Sequence, residues 1–98
     1  MDLMTIQARI KPEHDENVRQ AAAELFAAVD RAQPANLRYG SCQLADRTYL
    51  ILLQVTEGTE NPLPSLPEFH RFQSVLRDAA ESPSSPMPAR VVGSYRLF

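Results

Sequence analysis

Between Thr48 and Thr56 the sequence is apolar on both sides of an extended chain. Tyr49, Ile51, Leu53 and Val55 project one way at a two-residue period, and Leu50 and Leu52 project the other. A strand of this kind has no face to give to water, so it belongs at the centre of a sheet with cover on both sides. In a chain of 98 residues that requirement dictates most of the rest: one domain over residues 1–98, built on one sheet with helices as its cover.

The flanking segments supply the neighbours. Met4 to Ile10 alternates, with Ile6, Ala8 and Ile10 on one side and Thr5, Gln7 and Arg9 on the other, and Pro12 closes it. From Asp15 to Ala32, Val18, Ala21, Ala22, Leu25, Phe26 and Val29 recur at spacings of three and four, which predicts an amphipathic helix that Pro34 stops by Gln33. Leu37 to Leu44 reads as a strand joined to Thr48–Thr56 by a turn at Ala45-Asp46-Arg47, without a glycine. Glu57 to Pro67, with Gly58 and three prolines, predicts a loop. Ser65-Leu66-Pro67-Glu68 has the spacing of a capping box, and Phe69, Phe72, Val75, Leu76 and Ala79 give the helix after it an apolar face to about Ala80. The prolines of 82–88 forbid regular structure, and Ala89 to Phe98 resumes alternation as a closing strand.

The order is β, α, β, β, α, β, an α+β chain of the ferredoxin-like type, with a four-stranded antiparallel sheet and both helices on one face. The other face then carries Leu50 and Leu52, or Ile51 and Leu53, joined by an apolar row of the closing strand. Apolar surface of that extent is seldom left in water by a monomer. The expected cover is a second copy about a twofold axis, giving an eight-stranded barrel between subunits. The competing cover is the chain's own loop 57–67 or its C-terminal residues.

Charge and composition exclude several function classes. Ten Lys and Arg against twelve Asp and Glu leave a net charge of -2, which argues against a nucleic-acid partner. Leu50 to Leu53 is a purely apolar run far too short to span a bilayer, and Met1-Asp2-Leu3-Met4 has no basic or apolar leader character, so the expected compartment is the cytoplasm, away from membranes. A single cysteine, Cys42, and two histidines fit neither a disulfide scaffold nor a four-ligand zinc site, and Gly40, Gly58 and Gly93 are too far apart for a phosphate loop.

The pattern resembles the dimeric α+β barrel superfamily, and in particular its antibiotic biosynthesis monooxygenase-like branch. The residues that carry the resemblance are Arg9-Ile10-Lys11-Pro12, the Ala-rich helix, the apolar third strand running into Gln54-Val55-Thr56-Glu57, Pro67-Glu68-Phe69-His70-Arg71-Phe72, and the closing Val91-Val92-Gly93-Ser94-Tyr95-Arg96-Leu97-Phe98. The resemblance implies a homodimer with a small pocket in each subunit between the sheet and the second helix. There, some members oxidise aromatic polyketides with molecular oxygen and no cofactor or metal, and others degrade haem. Where the branch often places Glu-x-Trp this chain has Gln54-Val55-Thr56, it contains no tryptophan, and Thr5 or Gln7 stands near the place of the haem degraders' asparagine. Those departures set haem chemistry aside. A ligand-binding or sensing dimer without turnover, and a structural dimer with a filled core, are the alternatives.

Within that frame His70 is the candidate general base toward a phenolic substrate. Projected at 100° per residue it groups with Ser74, Arg77 and Glu81, so a helix-edge histidine half in solvent is the competing reading. Tyr49 and Tyr39 are candidates to relay a proton or donate to a ligand carbonyl, against a reading as filler of the sheet interior. Phe69, Phe72, Arg9 and Gln54 are the candidate ligand-binding residues: the two rings for an aromatic body, Arg9 for a carboxylate, Gln54 as a polar group on a strand. Cys42 has no matched histidine and acid to make it a nucleophile.

Overall fold

The computed structural model describes residues 2–97. Four strands and two α-helices follow in the expected order: β1 (Asp2–Arg9), α1 (Asp15–Ala32), β2 (Leu37–Gln43), β3 (Thr48–Val55), α2 (Pro67–Ala79) and β4 (Met87–Arg90). The sheet is antiparallel throughout, in the order β2-β3-β1-β4. The doubly apolar β3 is an inner strand, and the fold is the ferredoxin-like α+β type.

Register decides which side of β3 the helices take. Ala8 stands opposite Tyr49, and Ile6 opposite Ile51. Ala8, Tyr49 and Ile51 share one buried cluster with Val18, Ala21 and Leu25 of α1 and Phe72, Leu76 and Ala79 of α2, and Ile6 packs against it. Both helices therefore lie on that face. By alternation Leu50, Leu52 and Gln54, with Thr5, Gln7 and Arg9 of β1 and Arg38 and Cys42 of β2, lie on the face without helices. Leu50 and Leu52 are only half-buried there.

The end of β1 is clamped from two sides. The Lys11 amide donates to Ala79 O (2.9 Å), Glu81 N to Arg9 O (2.8 Å) and Ile10 N to Arg47 O (3.1 Å). The glycine-free turn between β2 and β3 works because Arg47 itself takes a left-handed conformation, φ 67. Its Nε donates to Ile10 O (3.2 Å), and the Asp46 carboxylate accepts from Thr48 N (3.1 Å). Hydrogen bonds from Thr48 hold that carboxyl below its ordinary range.

Three local expectations are corrected. The capping box at Ser65 does not form. Pro67 occupies the first helical position, where its missing N–H costs nothing, so the cap falls on Leu66, and Ser65 Oγ instead donates to Pro62 O (2.7 Å) inside a short 3-10 turn. The closing strand is four residues long and begins at Met87, inside the proline-rich segment, because Pro88 sits in an edge strand that can spare a donor. Residues 91–97 form no strand, so no apolar row of theirs joins Leu50 and Leu52; Met87 and Ala89 of β4 lie on that side instead. Phe98, the last residue of the expected strand, lies outside the described residues.

Candidate functional site between α1 and β2

Helix α1 carries two neighbouring stripes. Val18, Ala21, Leu25 and Ala28 are buried in the core. One step round the helix, Arg19, Ala22, Ala23 and Phe26 face β2, and the two alanines leave room. With Ser41, Cys42 and Gln43 of β2 and Tyr49 of β3, they line an open groove of about 310 Å³, near the lower end of volumes that hold small ligands.

Both ends of the groove are built. At one, Phe26 stacks on Tyr39, with centroids 4.9 Å apart and planes at 17°. At the other, Asp15 in the first turn of α1 pairs with Arg19 Nε (3.4 Å) and accepts from Gln43 Nε2. Tyr49 lies below. It is 4% exposed, and its hydroxyl is buried with no hydrogen-bond partner. An unpaired buried hydroxyl costs about 1–3 kcal/mol, so the Tyr49 hydroxyl is the candidate polar group beneath the groove.

The two phenols are held protonated. Burial pushes Tyr39 up to about 12. Burial also raises Tyr49, the negative charge of Asp15 adds to the rise, and Arg19 opposes it. Near neutral pH both are hydrogen-bond donors and neither is a base. Because the Tyr39 phenol ionises more readily in the unfolded chain than in the folded one, its contribution to stability is fully present below pH 10 and is lost as pH rises through about 12. Ultraviolet titration of phenolate is expected to show a step near pH 12 that Tyr39→Phe removes, with chemical stability falling across the same window.

The other sequence candidates lie elsewhere. His70 is exposed on the outer side of α2, its Nε2 2.7 Å from Pro64 O and its ring edge-on to Phe69 at 5.9 Å. It tethers the start of α2 to the preceding turn and does not meet the tyrosines. Phe72 is core, and Phe69 packs against that core. The space between the sheet and α2, where the resemblance placed a pocket, is taken by Phe72, Leu76 and Ala79. Arg9 is largely exposed and pairs with Glu81 at 3.7 Å. Gln54 lines a wider cleft of about 780 Å³ at the far end of the β2–β3 hairpin, with Asn36, Arg38 and Glu57. Sequence reasoning missed Phe26, Arg19, Gln43 and Asp15; the alanine pair in step with Phe26 was the available signal. Among the described residues no group of three His, Cys, Asp or Glu is placed to hold a metal ion, and no helix is long and apolar enough to cross a membrane.

The architecture has solved counterparts. A "putative antibiotic biosynthesis monooxygenase" from Nitrosomonas europaea superposes with a TM-score of 0.74 at 16% identity, over 95% of this chain and 100% of its own. The chain has the fold of the antibiotic biosynthesis monooxygenase-like proteins. A protein from Caulobacter crescentus with the same description matches at 0.72 and 11% identity over 94% of this chain and 90% of its own. A conserved protein of Methanosarcina mazei Go1 matches at 0.70 and 14% over 92% of each. No protein-family model and no curated protein matches the sequence.

Proposed function

We propose that the protein is a homodimeric small-molecule enzyme that oxidises a planar aromatic phenol or polyketide-like compound with molecular oxygen and no cofactor. The site is the groove between α1 and β2. The observation that carries this reading is the unpartnered Tyr49 hydroxyl buried beneath an open groove that the Phe26–Tyr39 stack bounds at one end. An aromatic body packs on Phe26, and a small turn of the Tyr49 side chain brings its buried hydroxyl up to donate to the oxygen of that body. As the substrate ionises, that hydrogen bond strengthens on the developing oxyanion. The electron-rich carbon then adds O₂ and loses water, so that a ring CH₂ and one O₂ become a C=O and one H₂O. The proton that the substrate gives up to solvent at the open mouth is returned to the peroxide oxygen as water leaves.

The expected result with anthrone as probe is anthraquinone formed with consumption of one O₂ per turnover. His70→Ala should leave the rate unchanged, since His70 stands outside the groove. Absence of oxygen uptake with anthrone and related phenols overturns the enzymatic reading. Thermal stabilisation by the same compounds, recovered unaltered, instead marks a binding protein without turnover, which the openness of the groove favours.

The dimer rests on Leu50 and Leu52, half-buried on the face without helices, with exposed Met87 on the same face across Thr5 of β1. A native mass of two chains at micromolar concentration is expected, and a single-chain mass there overturns it.

A further inference from the structure

We infer that the groove between α1 and β2 selects an aromatic ligand that carries a carboxylate, and that Arg19 is the residue that binds the carboxylate. The ring body lies toward Phe26 and the charge at the opposite end. The inference rests on the groove assigned under the proposed function and adds the charge of its occupant.

Spacing defines the two ends. Arg19, Ala22, Ala23 and Phe26 stand at intervals of three and four on one stripe of α1, and all of them line the groove. Arg19 and Phe26 are two helical turns apart, about 10 Å along the axis. On β2, Tyr39 stacks on Phe26 and Gln43 donates to Asp15. Those two strand residues share a side and are separated by about 13 Å. Helix and strand therefore present an aromatic end and a charged end at matching separations. Between them the two alanines leave the length of a bicyclic or tricyclic ring system.

The charged end is built to present a cation. Among the described residues that line the groove, Arg19 is the charged one. Asp15 meets its guanidinium at Nε (3.4 Å) and also accepts from Gln43 Nε2, so that carboxylate is already compensated on two sides. It holds Arg19 from behind as a positioning residue. The edge of the guanidinium away from Nε is left to the groove, and a planar carboxylate takes such an edge with two parallel hydrogen bonds. Tyr49 stands opposite Gln43 in the ladder, and the charges of both Asp15 and Arg19 act on its phenol. The buried hydroxyl and the cation are therefore neighbours, which places the ligand's carboxylate close to its ring oxygen. A hydroxyaromatic acid has that arrangement.

The test compares the binding of 3-hydroxy-2-naphthoate with that of its neutral carboxamide, by titration calorimetry without oxygen, so that turnover plays no part. The carboxylate is expected to bind about five- to tenfold tighter at low ionic strength, a gain kept modest because the Arg19 side chain is 60% exposed. The gap should close at about 1 M salt. Arg19→Gln should bring the two affinities together, and Arg19→Lys should keep part of the gap, since a point charge remains without the planar fork. Thermal melts establish that both variants are folded. Equal affinities in the native protein, or a preference that survives Arg19→Gln, overturn the inference while leaving the groove as an aromatic site. Binding of neither compound overturns the inference and the groove reading together.

Discussion

Leu25→Ala is expected to lower stability by about 3 kcal/mol, within the roughly 2–5 kcal/mol range for leucine truncation in a core. Leu25 is fully buried, at the middle of α1, in the cluster that joins both helices to β1 and β3. Its removal takes away the apolar atoms and leaves a cavity whose walls belong to three elements and cannot all relax at once. For a chain of this size about 3 kcal/mol corresponds to a fall in Tm of about 12–24 °C, a large share of the about 5–15 kcal/mol that holds such a domain folded. Leu44→Ala is the control, because Leu44 is 48% exposed in the β2–β3 turn, and a change within about 0.5 kcal/mol is expected there. Thermal melts of both variants at one protein concentration check this. Equal shifts would mean that the core does not run through Leu25.

The fold was legible in the sequence wherever burial and periodicity coincide. Residues 48–55 are apolar on both faces: the helices cover the face of Tyr49 and Ile51, while Leu50 and Leu52 are half-buried on the face without helices. α1 ends where Pro34 requires, with Gln33 in a left-handed turn before it. The misreadings share one cause: a local pattern is blind to what a segment meets in space. Alternation over 89–98 records a capacity to pair, and in this chain no neighbouring edge is available to most of it. Proline in 82–88 reads as a breaker, yet an edge strand tolerates Pro88. Ser65-x-x-Glu68 has the right spacing for a cap, but Pro67 fixes the helix start one residue later, and Glu68 pairs with Arg31 at 3.5 Å.

The site was legible by residue type and not by place. Tyr39 and Tyr49 were readable as phenols on paired strands. That the Tyr49 hydroxyl is left without a partner depends on the β2–β3 register and on how α1 is rotated over the sheet. The groove is made largely by what is missing, the side chains that Ala22 and Ala23 do not have, and absence of bulk on one helical stripe looks in a sequence like helix propensity alone. The solvent-facing projection of His70 with Ser74, Arg77 and Glu81 was correct, and it is the reason that its imidazole lies away from the phenols.

Tyr49→Phe is expected to move stability and function in opposite directions. In the free protein the hydroxyl is buried and unpaired, so deleting it relieves a desolvation cost of about 1–3 kcal/mol and leaves the ring's packing among Ala8, Ile51 and their neighbours unchanged. Tm should hold or rise. On the proposed reading, the same deletion removes the donor that the substrate oxygen meets in the ligated protein. Loss of one such donor to a developing oxyanion lowers turnover by about 10²–10³-fold, and anthrone oxidation should fall accordingly, most of it in kcat. Tyr39→Phe should cost less, because the Phe26 stack does not need the Tyr39 hydroxyl. A drop in Tm on Tyr49→Phe would show that the hydroxyl has a structural partner, and unchanged turnover would show that it does not face the substrate. A rise in Tm with loss of turnover is the combination that a purely packing role for Tyr49 cannot produce.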